Sequence, residues 1–461
     1  MGGNNMKIFK KNKKNLTEQE YKKIEKSKNI IKEQKNKIKQ EKEKIQEEKY
    51  HKFCQTKMGK FLNKIFLIDD KKAYQDIKKQ VFSIIYYEVL GAILCLLVLF
   101  ALTGGKNYFK LYYELNKLVD TYDAITKEYY GSIDKKKLVD NAISTMVGSV
   151  DDTFTNYNNK TSTNNFMEQV TGTYEGIGAT ITTDDKDNKI IAEVFDNSPA
   201  KKAGLKVKDI VLKVDGKDYT KKETSDIANY IKTSKNHQVK LTILRDNQEK
   251  TITIIRQKIK TPTVSGKVFQ QEDKKIGYIY ISTFTSVTTE QFKKQLTKLE
   301  KKQIDGLIID VRNNSGGYLS TVTDISNLFL KKGQTIYQLS DKTGTIKIKD
   351  DTKERRTYPI AVLINHSSAS ASEILSSAIK ESYGGHVVGT NSYGKGTVQK
   401  TKTLKDGSMI KYTIQKWLTP KGNWINEKGV TPTEKVELDQ NKDEDNQLAK
   451  AKEVIIKDLK K

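Results

Sequence analysis

An apolar run of 23 residues, VFSIIYYEVLGAILCLLVLFALT from Val81 to Thr103, constrains this chain more than any other feature. Coiled as a helix it has about the length needed to cross a bilayer. A helix also satisfies its backbone hydrogen bonds within itself, as a segment in lipid must. Glu88 is the one charge, and it follows Tyr86 and Tyr87 near the end that enters first, where an interfacial depth tolerates it. The alternative is a buried core helix, and the unbroken stretch from Leu90 to Leu102 argues against it. Some 80 residues precede the run and no clear A-x-A site follows, which separates it from a cleaved signal peptide.

The flanks set the direction of crossing. The formal net charge is +26, and residues 1–80 carry half of it, with 24 Lys against 11 acidic residues. Because lysine-rich flanks stay on the cytoplasmic side, the N-terminus is expected in the cytoplasm and everything after Gly104 outside, on a single-pass bacterial membrane protein. Within the basic segment Ile24, Ile30, Ile31, Ile38 and Ile45 are spaced near sevens, but the stripe is thin, so a solvated helix or disordered tail is expected. The charge does not call for nucleic acid: stacking aromatics are sparse, no binding motif occurs, and a basic tail beside a membrane explains it. Cys54 falls in the tail and Cys95 in the span, so no disulfide is expected to stabilise the exported part.

Chemistry concentrates in residues 359–399, PIAVLINHSSASASEILSSAIKESYGGHVVGTNSYGKGTVQ. Ile360 to Ile364 reads as a buried strand ending in a polar loop, and Ile374, Leu375 and Ile379 fit one helix face. Ser370 then stands where a strand hands over to a helix N-terminus, beside unpaired backbone N–H groups able to stabilise an oxyanion. A serine hydroxyl needs a base. The four histidines, His51, His237, His366 and His386, form no triad pattern, and no G-x-S-x-G elbow occurs. Lys395 lies in a Gly394-Lys395-Gly396 turn with no acidic neighbour in sequence. Holding it neutral near pH 7 takes a shift of roughly three units, ~4 kcal/mol, which burial can supply. Two plainer readings compete: Ser and Ala before a helix as simple capping, and a phosphate-cradling loop at Gly389 to Lys395. The second fails because Gly396 stands where a metal-binding hydroxyl belongs and no helix pattern follows.

SASASE at 368–373, YGKGTVQ at 393–399 and the 25-residue step from Ser370 to Lys395 resemble the C-terminal processing peptidases, the serine-lysine endopeptidases of bacteria and chloroplasts. By that resemblance Ser370 is the nucleophile, Lys395 the general base, and Gln399 the residue that orients the amine. Other segments agree. DTFTNY at 152–157 is similar to the stretch preceding the family's peptide-binding module. YEGIGATI at 174–181, SPA at 198–200, AGL at 203–205, KDI at 208–210 and VDG at 214–216 resemble a PDZ domain, with Lys208 in place of the usual glycine. Gly176, Ile177, Gly178 and Ala179 would hold a peptide C-terminus. DVRNNSGG at 310–317 resembles the family's glycine turn; it implies oxyanion donors from Gly316, with Gly317 as the alternative, and from Ala371, while Asp310 and Arg312 are expected to form a structural ion pair. WLTPKGNWINEKGVTP at 417–432 completes the likeness, with Thr433 where the family has Asp.

The expected architecture is α+β and multidomain. It comprises a basic cytoplasmic tail (1–80), a transmembrane helix (81–103), a helical region (104–171), a PDZ domain (172–257), an α/β serine peptidase core of crotonase/ClpP-like kind (258–438) and a charged C-terminal tail (439–461). The expected function is peptide-bond hydrolysis outside the membrane by a Ser-Lys dyad, with substrates recognised through free C-termini. No cofactor or metal is expected, no nucleic acid is a partner, and a homodimer or regulatory partner is left open. The competing class is a catalytically silent PDZ scaffold at the membrane.

Overall fold

The computed structural model describes residues 17–57, 60, 71–102, 112–439, 441 and 444–461. Thr103, the last residue of the expected span, and its continuation through 111 lie outside the described residues, as do 1–16 and 61–70 of the basic tail. The chain divides into two compact units, 1–132 and 133–461.

In the first unit Lys, Glu and Gln, all good helix formers, give α1 (Glu18–Cys54), whose N-terminus is capped where Thr17 N–H donates to Glu20 at 3.0 Å. No residue of α1 is buried, and Ile30, Ile31, Ile38 and Ile45 stay about half exposed. α2 (Lys71–Leu102) holds the apolar run; its segment Gln80–Val98 is long and apolar enough to cross a membrane and has no side chains buried within the protein. α3 (Tyr112–Glu128) follows.

The second unit opens with α4 (Lys135–Gly148), capped by the Asp134 carboxylate on the N–H groups of Lys136 and Lys137. β1 (Asn156–Asn158) and α5 (Lys160–Thr171) lead to β2 (Thr173–Gly176). A β-rich module follows: β3 (Ala179–Thr183), β4 (Lys189–Val194), α6 (Pro199–Lys202), β5 (Ile210–Val214), β6 (Lys217–Asp218), α7 (Thr224–Thr233), β7 (Gln238–Arg245) and β8 (Gln248–Ile255). Its strands run in the order β3-β4-β5-β7-β8, around a core that includes Ile191, Val211, Ile227, Leu241 and Ile254. Lys208 takes φ +72°, the left-handed conformation that the missing glycine would favour. Buried Asp209 behind it is held by Arg245, whose Nε donates at 2.6 Å. β2 pairs antiparallel with β9 (Gln257–Lys260), so the module enters and leaves through one two-stranded stem.

Beyond the stem come β10 (Val264–Gln271), β11 (Lys274–Ile281), α8 (Thr288–Glu300), β12 (Gly306–Asp310), α9 (Leu319–Ser326), β13 (Thr335–Asp341), β14 (Gly344–Lys349), β15 (Ile360–Ile364) and α10 (Ala371–Ala378), which continues as a π turn to Tyr383. β16 (His386–Gly389), β17 (Thr397–Thr403), β18 (Met409–Leu418), β19 (Glu434–Lys435) and α11 (Asn446–Leu459) close the chain. The central sheet is ordered β10-β11-β12-β15-β16-β19, antiparallel at β10–β11 and parallel thereafter. Parallel strands need both faces covered, and the continuous apolar runs GLIID and IAVLI meet that need, every residue of β12 and β15 being buried. Alternation divides them: Leu307, Ile309, Ile360 and Val362 pack with α8, α9 and α10, while Ile308, Ala361 and Leu363 pack with Ala451, Val454 and Ile455 of α11. The charged C-terminal tail is therefore the third layer of the core, a role its sequence did not announce. A second sheet, β1-β18-β13-β14 with β17 on β18, contains a hairpin turning at Asp406 and Gly407. Thr433, in place of Asp, bonds both ways to Val387, accepting from its N–H and donating to its carbonyl at 3.0 Å.

Candidate active site

β15 ends at Ile364, and the loop behind it is laced to the glycine turn after β12 by small hydroxyls. Ser368 Oγ donates to Val311 O and Ser372 Oγ to Asn314 O, both at 2.8 Å, and Ala369 N–H donates to Asn314 O at 3.0 Å. Ser370 then sits immediately before α10 with φ +53° and ψ −112°. For a residue with a Cβ this region costs about 1–3 kcal/mol and persists only where the surroundings impose it.

The imposing group is Glu373, which is fully buried. Its Oε2 accepts from the N–H of Ser370 at 2.7 Å and of Lys395 at 2.9 Å, and its Oε1 accepts from Gly394 N–H and Ser392 Oγ, each at 2.6 Å. One carboxylate thus fixes the backbone at both residues expected to do chemistry. Burial pushes this carboxyl above the usual range, and the four donors act in the opposite direction.

Ser370, Ala371, Gly317, Lys395, Gln399 and Lys411 line one cavity of about 390 Å³, walled by Phe166 and Met167 of α5 and by Leu319, Ile374 and Trp417. No histidine lines it: His386 bonds Asp458 at 2.8 Å and the His366 ring lies against Tyr393. The Lys395 carbonyl is fixed by Trp417 Nε1 at 2.7 Å, and Nζ lies 4.3 Å from the centroid of the Phe154 ring. Burial lowers the amine below its ordinary value and the nearby Lys411 charge adds to this, against Glu373 and Asp152. Gln399 shares the cavity, but its Nε2 donates to the hydroxyls of Thr397 at 2.9 Å and Thr413 at 3.2 Å rather than meeting the amine. Gly316 does not offer its N–H to the cavity, because it donates to Asn314 Oδ1 at 2.8 Å. The N–H groups of Gly317 and Ala371 have no hydrogen-bond partner among the described residues. Only glycine fits at 317, where a Cβ would lie 2.0 Å from the Phe284 carbonyl oxygen.

A second cavity, about 420 Å³, lies between edge strand β3 and helix α7. Gly176, Ile177 and Ala179 line it together with Ile181, Phe195 and Ile231, an apolar slot beside the free edge of β3. Gly178 turns the loop at φ +79° rather than lining the slot.

Residues 275–436 match the family model of peptidase family S41, residues 176–255 that of the PDZ domain, and residues 103–162 that of the activating protease CtpB N-terminal domain. The carboxy-terminal processing protease CtpB of Bacillus subtilis (strain 168) is 39% identical over 322 residues, spanning 69% of this chain and 67% of that one. CtpA of the same strain is 37% identical over 328 residues, 70% of this chain and 69% of its own. The chain belongs to peptidase family S41. A probable CtpA-like serine protease of Staphylococcus aureus (strain N315) is 36% identical over 321 residues, 69% of this chain and 64% of that protein.

As an S41 member it is a serine-type endopeptidase of the C-terminal processing kind, carrying a PDZ domain. Sequence reasoning took Glu373 only as the start of a helix, although a glutamate at the third helical position after a serine is the pattern of a reciprocal cap. Phe154, beside the lysine, lay in the DTFTNY stretch without a role being read for it, and Lys411, within the cavity, carried no signal. Arg312 donates to Asp310, to Asp445 and to Gln447 at 2.6–3.1 Å, tying the start of α11 to the end of β12. The pair expected there is thus a three-way structural clasp.

Proposed function

We propose that this S41 endopeptidase is anchored by α2 with its N-terminus in the cytoplasm, works outside the membrane, and cuts with Ser370 as nucleophile and Lys395 as base. The observation that carries the reading is that both side chains line one cavity while a single buried carboxylate, Glu373, fixes both backbones. The Ser370 hydroxyl attacks the scissile carbonyl carbon as its proton passes to the neutral Lys395 amine. The resulting oxyanion is met by the N–H groups of Ala371 and Gly317, with Gly317 replacing the expected Gly316. Lys395 returns the proton to the leaving nitrogen as the peptide C–N bond breaks; water then attacks the acyl-enzyme, giving a proton to the Lys395 amine, which passes it to Ser370 Oγ as the ester C–O bond breaks. Gln399 borders the substrate path without touching the base.

The domain limits expected from sequence, 172–257 for the PDZ domain and 258–438 for a crotonase/ClpP-like core, belong to this reading, with proteins or peptides bearing free C-termini as substrates. A silent scaffold is not favoured, since a strained Ser370 and a dehydrated Lys395 serve chemistry and not peptide capture. Purified Ser370→Ala protein is expected to lose roughly four orders of magnitude in kcat on a fluorogenic peptide while keeping its fold. Lys395→Arg should be equally dead, because a guanidinium stays protonated. Retained cleavage by either variant counts against the pair.

A further inference from the structure

We propose that the turn Asp152–Thr155, which lies outside the matched peptidase core, completes the lysine site: the Phe154 ring covers the Lys395 amine and keeps water from it. Phe154 is a positioning residue in this sense, and the proposal rests on Lys395 being the base.

The geometry fixes ring and amine through the same strand. β1 pairs with β18, setting Asn156 opposite Lys411, and Thr413 N–H of β18 donates to Thr155 Oγ1 at 3.2 Å. Four residues further along β18, Trp417 donates to the Lys395 carbonyl. The turn is closed on itself by Phe154 N–H and Thr155 Oγ1, which donate to the two oxygens of Asp152 at 3.1 and 2.5 Å, and by Thr155 N–H to Asp152 O at 3.0 Å. Nothing in this arrangement requires an aromatic ring, yet the turn delivers one to 4.3 Å from Nζ.

Three charged groups face the amine: Lys411 from β18, Asp152 from the turn and Glu373 from α10. Glu373 is saturated by its four donors. Burial acts to raise the Asp152 carboxyl, but hydrogen bonds from Thr155, Thr413 and Phe154, with the Lys395 charge, hold it below the usual range, so it favours the ammonium. Lys411 opposes it. The ring has two effects of opposite sign. Its face attracts a cation, whereas its bulk strips water from one. Full burial moves an amine by up to about 3–5 pH units, more than ring attraction returns. Covering therefore wins, and the ring helps to keep the amine neutral.

The test is the pH dependence of kcat/KM for the full-length protein in detergent, cleaving a fluorogenic peptide, with thermal unfolding as a check on folding. Phe154→Ala admits water, so the rising limb should move about one unit to higher pH: activity falls about tenfold below the native limb and recovers above it. Phe154→Leu keeps an apolar cover without the ring face, and its limb should stay near the native one. Thr155→Val frees the turn with little change in volume and should shift the limb upward by less than Phe154→Ala does. An unmoved limb in Phe154→Ala, a downward shift, or an equal shift with leucine overturns the proposal. Should Phe154→Ala not fold, an unmoved limb in Thr155→Val overturns it as well. Lys395→Ala separates the two readings: if it still cuts, the base is wrong, and if it is dead while the limb stays put, only the role of Phe154 falls.

Discussion

Lys395 holds an ammonium precursor in a place that penalises charge, and that penalty is measurable apart from catalysis. Its folded pKa is lowered by burial and by Lys411, while the unfolded chain titrates near the ordinary value of about 10.4. Between those values the unfolded state binds more protons, so stability rises with pH through that window. The penalty is fully present below the folded pKa and gone above the unfolded one. Lys395→Met should therefore abolish cleavage and raise Tm around neutral pH, with the gain shrinking toward zero as pH passes 10; a Tm gain independent of pH would refute the assignment. At this scale Ser370 and Lys395 were legible because each lies inside its own short motif. Glu373 was not, since its partners Ser392, Gly394 and Lys395 come a full strand later, and Phe154 meets the lysine only through the pairing of β1 with β18.

Among the elements, α11 shows how patterning and role can separate. Its charge made it read as a tail, and what it covers depends on β12, β15 and β16, whose runs are apolar on both faces and so call for a second layer of helix. Gly306 lets it approach closely: a Cβ there would lie 2.5 Å from Ile455 Cγ2. Ile455 is fully buried against Ile308, Ala361 and Leu363, so Ile455→Ala should cost about 2–5 kcal/mol by cavity formation. Urea unfolding checks this, and a loss under 1 kcal/mol would mean that α11 is not part of the core. The PDZ domain was the easier inference, since its turns and small-residue signatures are local. Even there Lys208 sits at positive φ, and Asp209 beside it is clamped by Arg245.

At the scale of the whole second unit, α5 lines the catalytic cavity and reaches the PDZ slot through one ion pair. Phe166 and Met167 wall the catalytic one, and Glu168 between them and the stem pairs with Lys232 of α7 at 2.5 Å, where Lys232 lines the PDZ slot. We expect a ligand in the slot to bear on α7 and a shift of α7 to reach, through this ion pair, the helix that walls the active cavity. Such coupling requires that the ligand bind the two states unequally. On the reading proposed above, a substrate ending in a free carboxylate would add a strand at β3 and place its last side chain between Ile177 and Ile231, and amidation would remove the charge expected at the Gly176–Ala179 loop. Amidating the substrate should therefore slow cleavage several-fold in the intact protein. Ala228→Glu puts bulk and negative charge into the slot from a half-buried position on a helix, where glutamate is a good helix former. This variant should cleave the free-carboxylate substrate only as fast as the intact protein cleaves the amide, and amidation should slow it no further. Equal slowing of both proteins by amidation would show that the carboxylate is read elsewhere. The PDZ route would then have to be given up, even with Ser370 and Lys395 secure.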